Sequence, residues 1–143
     1  MKKTYYRDYC LEAFRFYAQV GGTQAYRQGT FVSAGELARE HARLERSRRT
    51  DTDEQIRAVK AALKDLEAVE RTLARLKRLP AGEEAQRAVA EVYMLRPGER
   101  LAKGELSARV QRLALDLPAG ERSIYYWLEQ ARDIFARERG LRI

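Results

Sequence analysis

The segment ERSIYYWLEQARDIFARERG, Glu121 to Gly140, decides how the chain is read. Ile124, Leu128, Ala131 and Phe135 recur at i, i+4, i+7 and i+11, one stripe of an α-helix. Arg122, Tyr126, Glu129 and Asp133 fall on the opposite face, with Tyr125 at its border. The first turns of this helix are therefore basic and aromatic, and its second half is more mixed. A helix built this way docks on a small core by one edge and offers its opening turns to a partner. The pattern predicts the recognition helix of a helix-turn-helix, with the rest of the chain as the scaffold that places it.

The residues just before this helix supply the other parts of such a motif. Leu115-Asp116-Leu117-Pro118-Ala119-Gly120 reads as the turn, bringing Leu115 or Leu117 back over the core. Pro118 pre-sets the backbone for a helix start. A helix over about 103–114 places Leu106, Val110 and Leu113 on one side. Arg96-Pro97-Gly98 is a turn, and a helix over about 83–95 turns Ala85, Val89, Val92 and Tyr93 inward. Trp127 is expected at the edge of the core. Pro80-Ala81-Gly82 breaks the pattern and divides the chain into a scaffold region, 1–79, and a helix-turn-helix region, 80–143.

In the scaffold region a long helix is predicted over about 53–78, with Ile56, Val59, Leu63, Leu66, Val69, Leu73 and Leu76 every three or four residues. Glu70 stands where a zipper seam wants an apolar residue, so the pattern favours an antiparallel hairpin over a long parallel coiled coil. The other arm of that hairpin is a helix over 33–48. Ser33 and Glu36 form a capping box, Val32 and Leu37 a hydrophobic staple, and Arg43, Arg46, Arg48 and Arg49 gather at its carbonyl end. A homodimer through helices 33–78 is compatible with this pattern. Residues 4–19 form a first helix with Tyr6, Cys10, Ala13 and Tyr17 in line and Tyr9 and Phe16 beside them. Six of the 13 aromatic residues lie in that helix, which reads as packing more than as a base-stacking platform. Gly21-Gly22 ends it. The fold class is thus all-α: a helical N-terminal region with an antiparallel hairpin, then a C-terminal helix-turn-helix.

Charge agrees with an anionic partner. The 143 residues carry a formal net charge of +7. Residues 1–50 hold ten Lys/Arg against five Asp/Glu, 51–95 eight against nine, and 96–143 ten against seven. The excess sits at the two ends and is not spread as a solubility coat would be. Within the last helix, Arg122 is placed to bind phosphate or to read guanine. Ser123 and the first backbone amides face the groove edge. Tyr125 and Tyr126 can give hydrogen bonds to phosphate or pack on sugar, and Glu129 can accept from cytosine or simply face solvent. Glu129 and Asp133 would be repelled by phosphate deep in a backbone contact. Contact therefore belongs to the first two turns, with Arg132 and Arg137 at the flanks.

Three stretches carry a resemblance: Ala88-Val89-Ala90-Glu91-Val92-Tyr93, Glu121 to Leu128, and Ala131-Arg132-Asp133-Ile134-Phe135-Ala136. The region from about Ala88 to Leu141 resembles the region-four helix-turn-helix of sigma factors. It is still more similar to small phage regulators of the ArpU type and to uncharacterised phage proteins of Firmicutes. The N-terminal YYRDYCLEAFRFYA resembles the start of those proteins. The resemblance covers about a third of the chain well. It implies DNA binding and transcriptional control, with double-stranded DNA and RNA polymerase as partners and Arg122, Ser123, Tyr125 and Tyr126 as the contacts. Gly120, where the family carries a capping serine, and the acidic Glu129 depart from its pattern. No segment resembles the promoter-opening region of a whole sigma factor.

Other chemistries find little footing. His41 is the only histidine, and no P-loop, dinucleotide-binding glycine pattern or HExxH is present. The carboxylates alternate with arginines along helices, as solvated pairs do. No enzyme activity, cofactor or metal is expected. With Cys10 the one cysteine, no disulfide within the chain is possible, and a reducing, cytoplasmic setting fits. The N-terminus lacks the apolar run of a signal peptide, and no membrane partner is expected. The competing expectations are a phage DNA-packaging protein of the small-terminase kind, working as a ring, and a helical protein–protein adaptor.

Overall fold

In the computed structural model α6, Glu121–Arg139, is the hub: it packs against α3 (Arg49–Lys77), α4 (Gly82–Val92), α1 (Lys2–Val20) and α5 (Glu105–Asp116). Residues 23–29 form a short helical stretch, α2. The structure describes residues 2–29, 49–94, 104–117 and 119–141, with side chains from 7 and from 53 in the first two stretches. All regular structure among them is helical, as the composition requires. The expected helix over 33–48, with its Ser33/Glu36 capping box, His41 and arginine cluster, lies outside the described residues. So do the Arg96-Pro97-Gly98 turn and Pro118, and with them the hairpin arrangement.

The periodic stripes form the core. Ile124, Leu128, Ala131 and Phe135 of α6 are all buried, and Trp127 joins them. Each large apolar side chain so buried contributes about 1.5–3 kcal/mol. From α4 come Ala85, Val89 and Val92, with Tyr93 just beyond its end, and from α5 Val110 and Leu113. α3 contributes Leu66, Ala68, Val69 and Leu76. Thr72 is buried among them, and its hydroxyl donates to the Ala68 carbonyl at 2.7 Å, which removes the desolvation cost.

The first helix packs by the expected line at Cys10 and Ala13, with Phe14 added to it. Cys10, Ala13 and Phe14 are buried, whereas Tyr17 and Phe16 are only half-buried. Phe14 is the aromatic hub: its ring centroid lies 5.8 Å from that of Phe135 and 6.1 Å from that of Tyr93. Tyr9 adds a third contact, 6.0 Å from Phe135. One aromatic cluster thus ties α1 to α4 and α6, in the offset geometries such rings prefer.

The Pro80-Ala81-Gly82 break is a tight joint between α3 and α4. Ala81 takes the left-handed conformation, with φ 56°. A β-carbon at Gly82 would lie 2.2 Å from the Lys77 carbonyl oxygen, so no larger residue fits. Gln86 Nε2 donates to the Leu73 carbonyl at 2.7 Å and holds the two helices together. The hydrophobic cluster runs across this joint, from Cys10 and Val69 to Val110 and Ile124. Scaffold and C-terminal helices therefore share one core.

Candidate nucleic-acid interface

α5 ends at Asp116, and Leu117 turns to extended backbone, with its amide still donating to the Leu113 carbonyl at 3.0 Å. Leu117 is buried and anchors the turn, while Leu115 is 86% exposed and does not return to the core. Gly120 is extended and starts α6, its carbonyl accepting from the Ser123 and Ile124 amides. No side chain caps this end, so the Glu121 and Arg122 amides are not spent on a side-chain oxygen.

α6 then divides lengthwise. Its inner edge is fixed by the core. On the outer face Arg122 and Glu129 are exposed, as are Tyr125 at 41% and Tyr126 at 56%. Two adjacent phenols thus put aromatic surface and hydroxyl groups on this open face. Ser123 is half-buried beside them. Glu121 and Glu129 flank the arginine, so the patch is mixed in charge, not uniformly basic.

Arg132 stands apart from this group. Its Nη1 donates to Tyr93 Oη at 2.6 Å, and Tyr93 is 2% exposed. The guanidinium is thus engaged at the α4 end, on the core side of the flank. Burial pushes the Tyr93 phenol above its ordinary value, and nearby Arg132 opposes that shift. Of the six expected contact residues, Arg122, Tyr125, Tyr126 and Glu129 share the open face, Ser123 borders it, and Arg132 faces the protein.

No protein-family model, curated protein or solved structure matches the chain. The likeness to ArpU-type regulators accordingly rests on the quoted residues alone.

The far end of α6 is clamped to α3 by groups that no sequence motif announces. Glu138 meets Arg75 Nε at 2.7 Å and Arg71 Nε at 3.1 Å, and its carbonyl accepts from Arg71 Nη2 at 3.2 Å. Arg139 Nε donates to Asp65 Oδ1 at 2.6 Å, and Tyr9 Oη donates to the same oxygen at 2.5 Å. Burial, and then Asp65, raise the Tyr9 phenol, while the hydrogen bond to Asp65 raises Arg139. Gly140, with φ 80°, closes the helix, and the Leu141 amide donates back to the Ala136 carbonyl at 2.8 Å. With one end locked, the opening turns of α6 are held at a set angle to the body.

Among the described residues, no helix is long and apolar enough to cross a membrane. No group of three or more potential metal-ligating side chains occurs among them.

Proposed function

We propose that the protein is a DNA-binding transcriptional regulator of phage or prophage type, with α6 as the helix that enters the major groove. The observation that carries this reading is the lengthwise division of α6. Ile124, Trp127 and Leu128 are buried while Arg122, Tyr125 and Tyr126, in the same two turns, face solvent. Three further features support it: the uncapped helix start, the packing of α4 and α5 against α6, and the net charge of +7.

Charge limits the mode of contact. Glu129 lies about two turns behind Arg122, so a helix laid lengthwise along the backbone would press a carboxylate on phosphate. Entry by the N-terminal end reduces that clash to one carboxylate beside the backbone at the groove's edge. Arg122 then reaches a guanine edge or a phosphate, and the two phenols bond phosphate or pack on sugar. In this mode Arg132 stabilises the fold and does not touch DNA.

The test is titration of duplex DNA at two salt concentrations with the intact chain and an Arg122→Glu, Tyr126→Ala variant. The reading expects salt-sensitive binding by the intact chain and a large loss in the variant. Equal binding by both proteins removes α6 as the interface.

A further inference from the structure

A second surface lies at the other end of the molecule, and it has a complement on the chain's own opposite side. Between α1 and α3 runs an open groove of 490 Å³ lined by Asp8, Tyr9, Glu12, Ala13, Phe16 and Asp65. Its floor is apolar: Ala13, one side of Phe16 and the Tyr9 ring. Its rim is acidic. Asp65 is matched by Arg139, but Glu12 is 75% exposed with only a 3.8 Å approach from Arg15, and Asp8 pairs with no described residue. Phosphate is repelled here, so nucleic acid does not fit.

The complement lies on the first half of α3. Ile56 is 48% exposed there, with Arg57, Lys60 and Lys64 exposed beside it. None of these three cations pairs with another described residue. At about 100° per residue, Asp65 lies about 180° round the helix from Ile56, and Lys60 only about 40°. The ridge therefore points away from the side of α3 that carries the groove. Asp53 shares the ridge's flank at its N-terminal end, leaving the ridge net positive.

We propose that a second copy of this chain docks here. Its Ile56 seats on the Phe16 floor, and its Lys60 and neighbouring cations meet Glu12 and Asp8. An apolar anchor ringed by opposite charges is the ordinary anatomy of a protein contact. Because groove and ridge lie on opposite sides of one molecule, the contact is head-to-tail. Each copy gives a ridge to one neighbour and a groove to the other, so assembly proceeds to a ring or an open chain. The contact is small, and self-association is accordingly weak and salt-sensitive.

Sedimentation velocity of the intact chain over roughly 10–500 μM tests this. Concentration-dependent association beyond a dimer is expected. Glu12→Lys cancels the unpaired acidic charge of the groove, and Lys60→Glu cancels the net positive charge of the ridge, so each variant alone should associate at least about tenfold more weakly. Mixing the two should restore assembly, since each now offers what the other lacks. Both positions are exposed, and circular dichroism confirms that the variants fold. A wild-type chain that stays monomeric overturns the proposal. Undiminished association of Glu12→Lys overturns it too, and points to a two-fold contact through α3 alone. Failure of the mixture to assemble is a third result against it. DNA binding at low protein concentration is independent of all three outcomes, so this proposal and the DNA reading fail separately.

Discussion

Arg132 Nη1 donates to Tyr93 Oη at 2.6 Å, joining the middle of α6 to the end of α4. The phenol is 2% exposed, so loss of the guanidinium leaves a buried hydroxyl oxygen without this donor. Arg132→Ala is expected to cost about 1–3 kcal/mol of stability. DNA affinity, measured well below the unfolding midpoint, should change far less than in Arg122→Glu. Denaturant unfolding beside DNA titration checks both. Full stability with lost binding would turn Arg132 outward and reverse its assignment.

The clamp at the far end of α6 gives a second expectation. Asp65 Oδ1 accepts from both Tyr9 and Arg139. Asp65→Asn keeps the shape and removes the charge, leaving a half-buried guanidinium facing a neutral amide. A loss of about 1–3 kcal/mol is expected, with the fold retained. If α6 is a reading head, DNA affinity should also fall, because its angle is set at this end. Unchanged stability would mean that the Tyr9–Asp65–Arg139 cluster is solvated and idle.

Burial at Cys10 and Tyr93, as at Tyr9 and Tyr17, ties stability to pH on the alkaline side. Burial pushes the Cys10 thiol well above its ordinary 9.0, and likewise lifts Tyr93 above 10.0. For both groups the folded protein holds the proton that the unfolded chain releases. Their contribution is therefore full below pH 9 and is lost as pH rises through 9 and 10 toward the folded values. Unfolding free energy should fall steeply above pH 9, and less steeply in Cys10→Ala once its lower starting stability is subtracted. The native thiol should also resist alkylating reagents until the chain unfolds. Rapid labelling of the folded protein at neutral pH would contradict its burial.

How much of this was readable beforehand differs along the chain. The α4, α5 and α6 stripes follow helical spacing because each helix buries one face against one core, so Val89, Val110 and Ile124 are legible from period alone. Phe14 was also within reach: Cys10, Ala13, Phe14 and Tyr17 stand at i, i+3, i+4 and i+7. Phe14 shares the buried edge with Cys10 and Ala13, and only its burial sets it apart from the neighbouring tyrosines. Ile56 continues the α3 stripe in sequence but is half exposed, since periodicity reports amphipathicity and not what covers it. The pairs Tyr9–Asp65, Arg132–Tyr93 and Arg139–Asp65 bridge 39 to 74 residues, and no local pattern encodes such partners. Arg132 shows the consequence. It lies one turn from the outer face, and only the position of Tyr93 decides which way it turns.

Gly82 tests the joint that unites the two halves. A β-carbon there meets backbone atoms of Lys77 and Leu76, at 2.2 to 2.8 Å, which no rotamer change relieves. Gly82→Ala should cost about 2 kcal/mol or more, in the range of overpacked cores. The neighbouring Ala81 is strained in the opposite sense, with φ 56°. Ala81→Gly removes that strain and should stabilise by about 0.5–1 kcal/mol after the added entropy cost of glycine. Thermal unfolding of the two single variants decides it. Equal midpoints for both would mean that the joint relaxes freely and that α3 and α4 are not rigidly coupled.

Glu129 separates the two ways in which α6 can meet DNA. If the helix enters by its N-terminal end, the Glu129 carboxylate sits near the backbone without a partner there, and its charge opposes binding. Glu129→Gln then keeps the side chain's shape and removes the repulsion. Affinity for duplex DNA should rise about fivefold at low salt, the scale of one charge pair a few ångströms apart in water. The gain should shrink as salt rises, because an exposed interaction at this range is screened. It should also be similar on every duplex, since phosphate carries no sequence. If instead Glu129 accepts from a cytosine amino group, the same variant weakens binding to the preferred sequence and leaves random duplex unchanged. Titrating one variant against a selected and a scrambled duplex, each at two salt concentrations, distinguishes the modes. A uniform, salt-dependent gain supports end-on entry, with Arg122 leading and the tyrosines beside it. A sequence-dependent loss places the third turn of α6 in the groove floor, and the helix then lies deeper than its charge pattern implies.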